Sequence, residues 1–144
     1  MKITRKFTTD GQSPFDSVEW TTRASRISNP DGSVVFEMND AEVPASWSQL
    51  ATDIMVSKYF RKAGVPEDGG PNGIAAPGYD KTDKKKLKKG EPARTGPERS
   101  AKQVIHRLAG CWRHWGETHG YFDSAADAEA FYDELAWMMT NQVT

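Results

Sequence analysis

Apolar positions along the chain come in four bouts, and their spacing changes from one bout to the next. Across residues 18–39 two runs flank Asn29-Pro30-Asp31-Gly32, where proline fixes φ and glycine accepts a positive φ, so the chain turns back. The second run, Ser33-Val34-Val35-Phe36-Glu37-Met38, is rich in β-branched and aromatic residues, while the first, from Val18 to Ile27, alternates only roughly. Together they predict a β-hairpin over residues 18–39. A two-stranded ribbon is marginal alone and needs something to pack on.

The second bout predicts a helix over residues 47–61. Ser46 is its expected cap, with Gln49 three residues on completing a capping-box spacing. Trp47, Leu50, Ile54, Val56 and Phe60 are its expected apolar face, and Ala63-Gly64-Val65-Pro66 stops it. Residues 67–97 then lose apolar periodicity and fill with Gly, Pro, Asp and Lys, which predicts a long, flexible surface loop.

At Glu98 the pattern returns. Ala101, Ile105, Leu108, Trp112 and Trp115 recur at steps of three and four, as in a helix burying one stripe, and Gly116 and Gly120 bracket its end. A last helix begins at Ser124, with Asp127 and Glu129 in its favourable first turn, and runs toward Asn141. Its residues Ala128, Phe131, Leu135, Met138 and Met139 are expected to face the preceding helix. The short link from Thr118 to Asp123 makes residues 98–141 an antiparallel pair. The fold class expected is mainly α with a small N-terminal β-hairpin, a single region over residues 1–144.

Composition narrows this. With 144 residues, 37% hydrophobic, 27% charged and a net charge of -1, the chain suits one soluble domain or a piece of a larger one. Its one cysteine, Cys111, excludes an intrachain disulfide and suits a reducing compartment. The polar start lacks a signal peptide's apolar segment, and no apolar run approaches the roughly 20 residues of a membrane span. The expected location is the cytoplasm, with no membrane partner.

Candidate chemistry is sparse. His106, Cys111, His114 and His119 raise a metal site, but His106 and Cys111 are five apart and diverge on a helix, whereas a closed zinc site converges four ligands. A thiolate at Cys111 would be favoured beside Arg113 or His114, yet Gly110 and Trp112 flank it in a stretch expected to face the core, so it reads as a small buried thiol. Lys81, Lys84, Lys85, Lys86, Lys88 and Lys89 could grip phosphates, but no aromatics interleave them for base stacking, and a solvated linker fits better. Asp68-Gly69-Gly70-Pro71-Asn72-Gly73 follows no predicted strand and lacks Gly-Lys-Ser/Thr, so it reads as flexible chain instead of a phosphate loop. Trp47, Trp112, Trp115 and Trp137 are expected in the core.

Four stretches carry a resemblance. They are Ser13-Pro14-Phe15 with Asn29-Pro30-Asp31-Gly32-Ser33-Val34-Val35-Phe36-Glu37; Val43-Pro44-Ala45-Ser46-Trp47-Ser48-Gln49-Leu50-Ala51-Thr52-Asp53-Ile54; Lys58-Tyr59-Phe60-Arg61-Lys62-Ala63-Gly64-Val65-Pro66; and the run from Glu98 through Gly120-Tyr121-Phe122 to Leu135. In this order they are similar to the opening of class II, cobalamin-dependent ribonucleotide reductases. The resemblance implies a helical N-terminal region that packs on a ten-stranded α/β barrel absent from this chain. It implies a cobalamin-dependent ribonucleoside-diphosphate reductase that makes deoxyribonucleotides for DNA synthesis, with adenosylcobalamin as cofactor. The implied partners are the remainder of the reductase, its ribonucleotide substrate and a thioredoxin-like reductant.

That chemistry uses three active-site cysteines, whereas this chain has one, and Cys111 matches none of the family's catalytic motifs. No catalytic, cofactor-binding or metal residue is therefore assigned. The barrel stretch Asn-Ser-Pro-Gln-Trp-Phe-Asn would be expected just past the last helix, so the chain is expected to be an incomplete gene product or one half of a split enzyme. Two other readings stay open: a small nucleic-acid-binding module using the run from Lys81 to Lys89, and a stand-alone helical interaction module.

Overall fold

The computed structural model of the chain describes residues 1–80 and 94–143. Contacts divide the chain into two units, one of Trp20–Val104 and one of Met1–Glu19 with Ile105–Thr144.

In the first unit, β1 (Trp20–Ser28) pairs antiparallel with β2 (Val34–Pro44), from Trp20 opposite Pro44 to Ile27 opposite Phe36, with irregularities between Arg23 and Ser25 and between Ile27 and Ser28. The expected turn forms: Asn29 N–H donates to the Ser33 carbonyl at 2.8 Å, and Gly32 takes φ +84°. The Asp31 carboxylate accepts from both Ser33 Oγ (2.6 Å) and Ser33 N–H (2.9 Å), bonds that hold it below the usual carboxylate range.

The hairpin is longer than the sequence predicted, ending at Pro44 instead of residue 39. Ala41, Val43 and Pro44 are buried along this extension, so the segment expected to lead into a helix is strand. Trp47 N–H bonds back to the Pro44 carbonyl at 3.1 Å, which places Ser46 in a turn and passes the capping role to Ser48. Ser48 accepts from Ala51 N–H at 3.1 Å and starts α1 (Gln49–Ile54). The Gln49 side chain, expected to fold back on a cap, instead donates to the Ala24 carbonyl and Asp53 Oδ1, both at 2.9 Å.

A wider helical turn, Met55–Tyr59, follows α1 and closes with Phe60 N–H on the Met55 carbonyl at 3.1 Å. The predicted single apolar face is corrected here. Trp47, Val56 and Phe60 are buried, but Leu50 is 69% and Ile54 47% exposed. Residues two apart on a helix point about 200° away from each other, so once Thr52 and Val56 face inward, Leu50 and Ile54 must face out.

Residues 60–80 are more ordered than the loop expected over residues 67–97. β3 (Val65–Pro66) pairs antiparallel with β4 (Thr95–Gly96), and Ala76 N–H returns to the Glu67 carbonyl at 2.8 Å. A Cβ on Gly73 would lie 2.1 Å from the Gly69 carbonyl oxygen, and Gly69 has φ +84°. The glycines of this segment therefore serve a close backbone crossing, not the flexibility assigned to them. The lysine run, Lys81 to Lys89, lies outside the described residues.

Glu98, expected to open the next helix, is buried in a clip before it: its N–H donates to the Arg61 carbonyl (2.9 Å) and its Oε2 accepts from Arg61 N–H (2.8 Å). α2 starts at Ala101 and runs to Thr118. Its first turn is tied to β2, where Ser100 Oγ donates to Glu42 Oε1 at 2.5 Å and Lys102 lies 3.4 Å from the same oxygen.

The second unit is built on the remainder of α2 and on α3 (Ala125–Thr140). Ser124 caps α3 as expected, accepting from Asp127 N–H at 3.2 Å, and Asn141 closes it. Gly120, at φ +66°, turns the chain just after α2, and Phe122 packs so close to α2 that a Cβ on Gly116 would lie 2.4 Å from its ring. Phe122 also meets Phe131 of α3, with ring centroids 5.3 Å apart. Much of the buried surface is alanine: Ala109 on α2, and Ala128, Ala130 and Ala136 on α3. Of the residues expected to face α2, only Ala128 is fully buried; Phe131, Leu135, Met138 and Met139 are half-buried.

Residues 1–8 lie along α3, attached by its acidic side chains. Ile3 N–H donates to Asp127 (2.9 Å), Arg5 to Asp133 (2.6 Å), and Thr8 N–H and Oγ1 to Glu134 (2.8 and 2.7 Å). The Met1 amine pairs with Asp123. A short helical turn, Pro14–Ser17, buries Phe15 and receives a bond from Asn141 to Ser17 Oγ at 3.2 Å.

Candidate functional site

The strap of residues 1–8 concentrates the unusual electrostatics of the second unit. Burial disfavours the Glu134 carboxylate charge, but the Thr8 hydroxyl and the N–H groups of Thr8 and Phe7 outweigh it and hold the group below the usual carboxylate range. The Ser124 hydroxyl, then Ile3 N–H, do the same for Asp127. Arg5 and Asp133, whose side chains are 18% and 11% exposed, form a largely covered ion pair. The indole of Trp137 stacks flat on Phe7, with centroids 4.4 Å apart and planes 3° from parallel. Nothing in the hydrophobic pattern marked this latch, because the strap is fastened mainly through its backbone.

Beside it, His106 Nδ1 and Tyr132 Oη are 2.5 Å apart. Burial first, and the charge of Asp133 second, push the Tyr132 phenol up to about 12, so it remains protonated at neutral pH. The other candidate ligands do not join this pair: Cys111, His114 and His119 are exposed, and the His119 ring lies tilted beside Tyr121, with centroids 6.0 Å apart. Among the described residues no three His, Cys, Asp or Glu side chains are placed to hold a metal ion. The expectation that Cys111 is a buried thiol is corrected. It lies about 120° round α2 from buried Ile105 and is exposed.

The tryptophans divide. Trp47 is in the core, and Trp137 is half-buried against Phe7, but Trp112 is 45% and Trp115 55% exposed, contrary to the core position expected of both. The buried line of α2 instead uses the small residues Ala109 and Gly116 with Ile105. In the first unit, burial lowers the Lys62 ammonium below its ordinary value; it donates to the Val56 carbonyl and sits 3.9 Å over the Phe36 ring. These contacts bind the helical turn to the hairpin and present no reactive group.

The described residues thus offer surfaces and structural networks, with no assembled catalytic constellation. The described residues form a helical region with a small hairpin, and comparison with known sequences identifies its family. A sequence profile described as class II vitamin B12-dependent ribonucleotide reductase matches residues 21–142. The chain belongs to that family.

Among characterised relatives it is similar to the vitamin B12-dependent ribonucleotide reductases of Bradyrhizobium diazoefficiens (45% identical), Agrobacterium fabrum (46%) and Rhodopirellula baltica (38%), each over 99% of this chain. It spans 12% of the length of the first two and 11% of the third. The match falls in the N-terminal region of these reductases.

A cobalamin is a wide macrocycle that needs a broad concave surface and, where an imidazole approaches cobalt, an accessible histidine. His106 is engaged with Tyr132, and His114 and His119 sit on the exterior. The described residues do not fit the group. Among them, no helix is long and apolar enough to cross a membrane.

Proposed function

We propose that this chain is the N-terminal part of an adenosylcobalamin-dependent ribonucleotide reductase and serves there as a structural region, while the remainder of the enzyme performs the chemistry. The observation that carries this is the family match over residues 21–142 combined with a span of only 12% of the relatives' length. The residues agree: one exposed cysteine cannot supply both a thiyl radical and a reducing cysteine pair. The reaction is reduction of the ribose 2'-hydroxyl of a ribonucleotide, with a thioredoxin-like dithiol as the electron source and the cytoplasm as its setting. This chain's residues contribute packing and exposed surface to that enzyme and move no proton or electron of the reaction.

The test is reconstitution. The barrel-containing remainder is prepared with and without residues 1–144, joined or added as a separate chain, and cobalamin-dependent reduction of ribonucleotides is measured with the melting temperature. The expected result is that this chain alone is inactive and that the remainder loses activity or stability without it. A remainder equally active and stable in its absence overturns the reading.

A further inference from the structure

One side of α2 is apolar and only partly covered. Leu108, Cys111, Trp112 and Trp115 are spaced by three, one and three residues, so they lie on about 100° of the helix surface. Trp112 and Trp115 keep 45% and 55% of their surface exposed, and Cys111 between them is exposed. Two half-exposed indoles one turn apart are uncommon on a finished surface, and tryptophan is among the residues most enriched at the centre of protein interfaces.

The surroundings choose among occupants. None of the four side chains of the stripe carries a charge, so the face itself offers nothing to hold the phosphates of a nucleic acid or an anionic membrane. The line of α2 through Ile105, Ala109 and Gly116 is already buried, and the stripe is an apolar face beside it that stays partly open. Relatives of the family are about eight times as long as this chain, so most of the polypeptide that accompanies this region in them lies outside it. Resting on the family reading above, we propose that the stripe of Leu108, Cys111, Trp112 and Trp115 is the docking face for the remainder of the reductase, with Trp112 and Trp115 as its anchors. The surface that meets it is apolar, with acceptors placed for the two indole N–H groups.

The experiment mixes this chain with the remainder of the reductase as a separate polypeptide. It measures the dissociation constant by calorimetry and the rate of Cys111 alkylation by a bulky maleimide, free and bound. Cys111 is expected to react at least about tenfold more slowly in the complex, and Trp112→Ala or Trp115→Ala to weaken binding by about 30-fold or more, the scale of an interface anchor. Leu50→Ser, on the exposed face of α1, serves as the control and leaves binding unchanged. Cys111 labelling needs no substitution at a tryptophan, so the proposal stays testable should either alanine variant misfold.

Tight binding with Cys111 still reactive and the tryptophan variants unaffected overturns the inference while leaving the family role intact. Concentration-dependent self-association that protects Cys111 without the remainder overturns it in favour of a second copy. No association under any condition overturns both.

Discussion

Two glycines on α2 make opposite predictions for one substitution. Gly110 has nothing within 4 Å of where a Cβ would stand, whereas a Cβ on Gly116 would be 2.4 and 2.7 Å from ring atoms of Phe122. Both are helical, so Gly→Ala gains about 1 kcal/mol of helix propensity at either place. At Gly116 that gain is opposed by overpacking of about 1–3 kcal/mol, because Phe122 is held against Phe131 and cannot simply swing away. Gly110→Ala is therefore expected to stabilise by about 1 kcal/mol, and Gly116→Ala to be neutral or to destabilise by up to about 2 kcal/mol. In a chain of this size about 1 kcal/mol moves Tm by about 3 °C, which separates the two variants by about 3–9 °C in a thermal melt followed by circular dichroism. A second arm isolates the cause. In a Phe122→Ala background the clash is gone, so Gly116→Ala should recover the gain seen at Gly110, and the cycle should show coupling of about 1–3 kcal/mol. Equal shifts for the two single variants, or no coupling to Phe122, would refute the packing described here.

The strap along α3 supplies two further predictions. Arg5→Ala leaves the buried Asp133 carboxylate without its 2.6 Å partner and should destabilise the second unit by about 1–3 kcal/mol, read by urea denaturation; a change under about 0.5 kcal/mol would show the pair to be idle. Acid should loosen the same latch. Glu134 and Asp127 have folded values below their unfolded ones, so their contribution is fully present above the ordinary carboxylate range of about 4 and is lost as pH falls through the lowered values. In melts taken from pH 7 down to pH 2, Glu134→Gln should flatten this acid loss, and an unchanged slope would contradict the bond set on that carboxylate.

What the sequence made legible was local. The turn at Asn29-Pro30-Asp31-Gly32 and the cap at Ser124 are written in single residues whose conformational needs have one solution, and both formed where expected. The helix pair was legible too, since a bout of three- and four-residue spacing long enough to exceed a strand leaves little choice. Spacing shows which residues share a face, but not whether the chain itself covers that face. That is why Trp112 and Trp115 were placed in a core they do not join, and why Leu50 and Ile54 were given the side that Thr52 and Val56 occupy. Ser46 and Ser48 offered equal capping chemistry, and only the extension of β2 to Pro44 decided between them. The strap was not legible, because several of its bonds are made by the main-chain N–H groups of Ile3, Phe7 and Thr8, which leave no trace in residue identity.

The second unit is assembled from both ends of the chain, with the 85 residues of Trp20–Val104 interposed. On the ribosome, where residues emerge at about 5–20 per second, residues 1–8 wait for several seconds before the carboxylates of α3 that receive them have been made. The contiguous hairpin unit can form in that interval. The latch must then close a loop of more than a hundred residues, at an entropic cost that rises only logarithmically with length. Nascent chains halted near residue 110 are thus expected to leave the strap open to proteases, and those in which residue 140 has emerged to protect it.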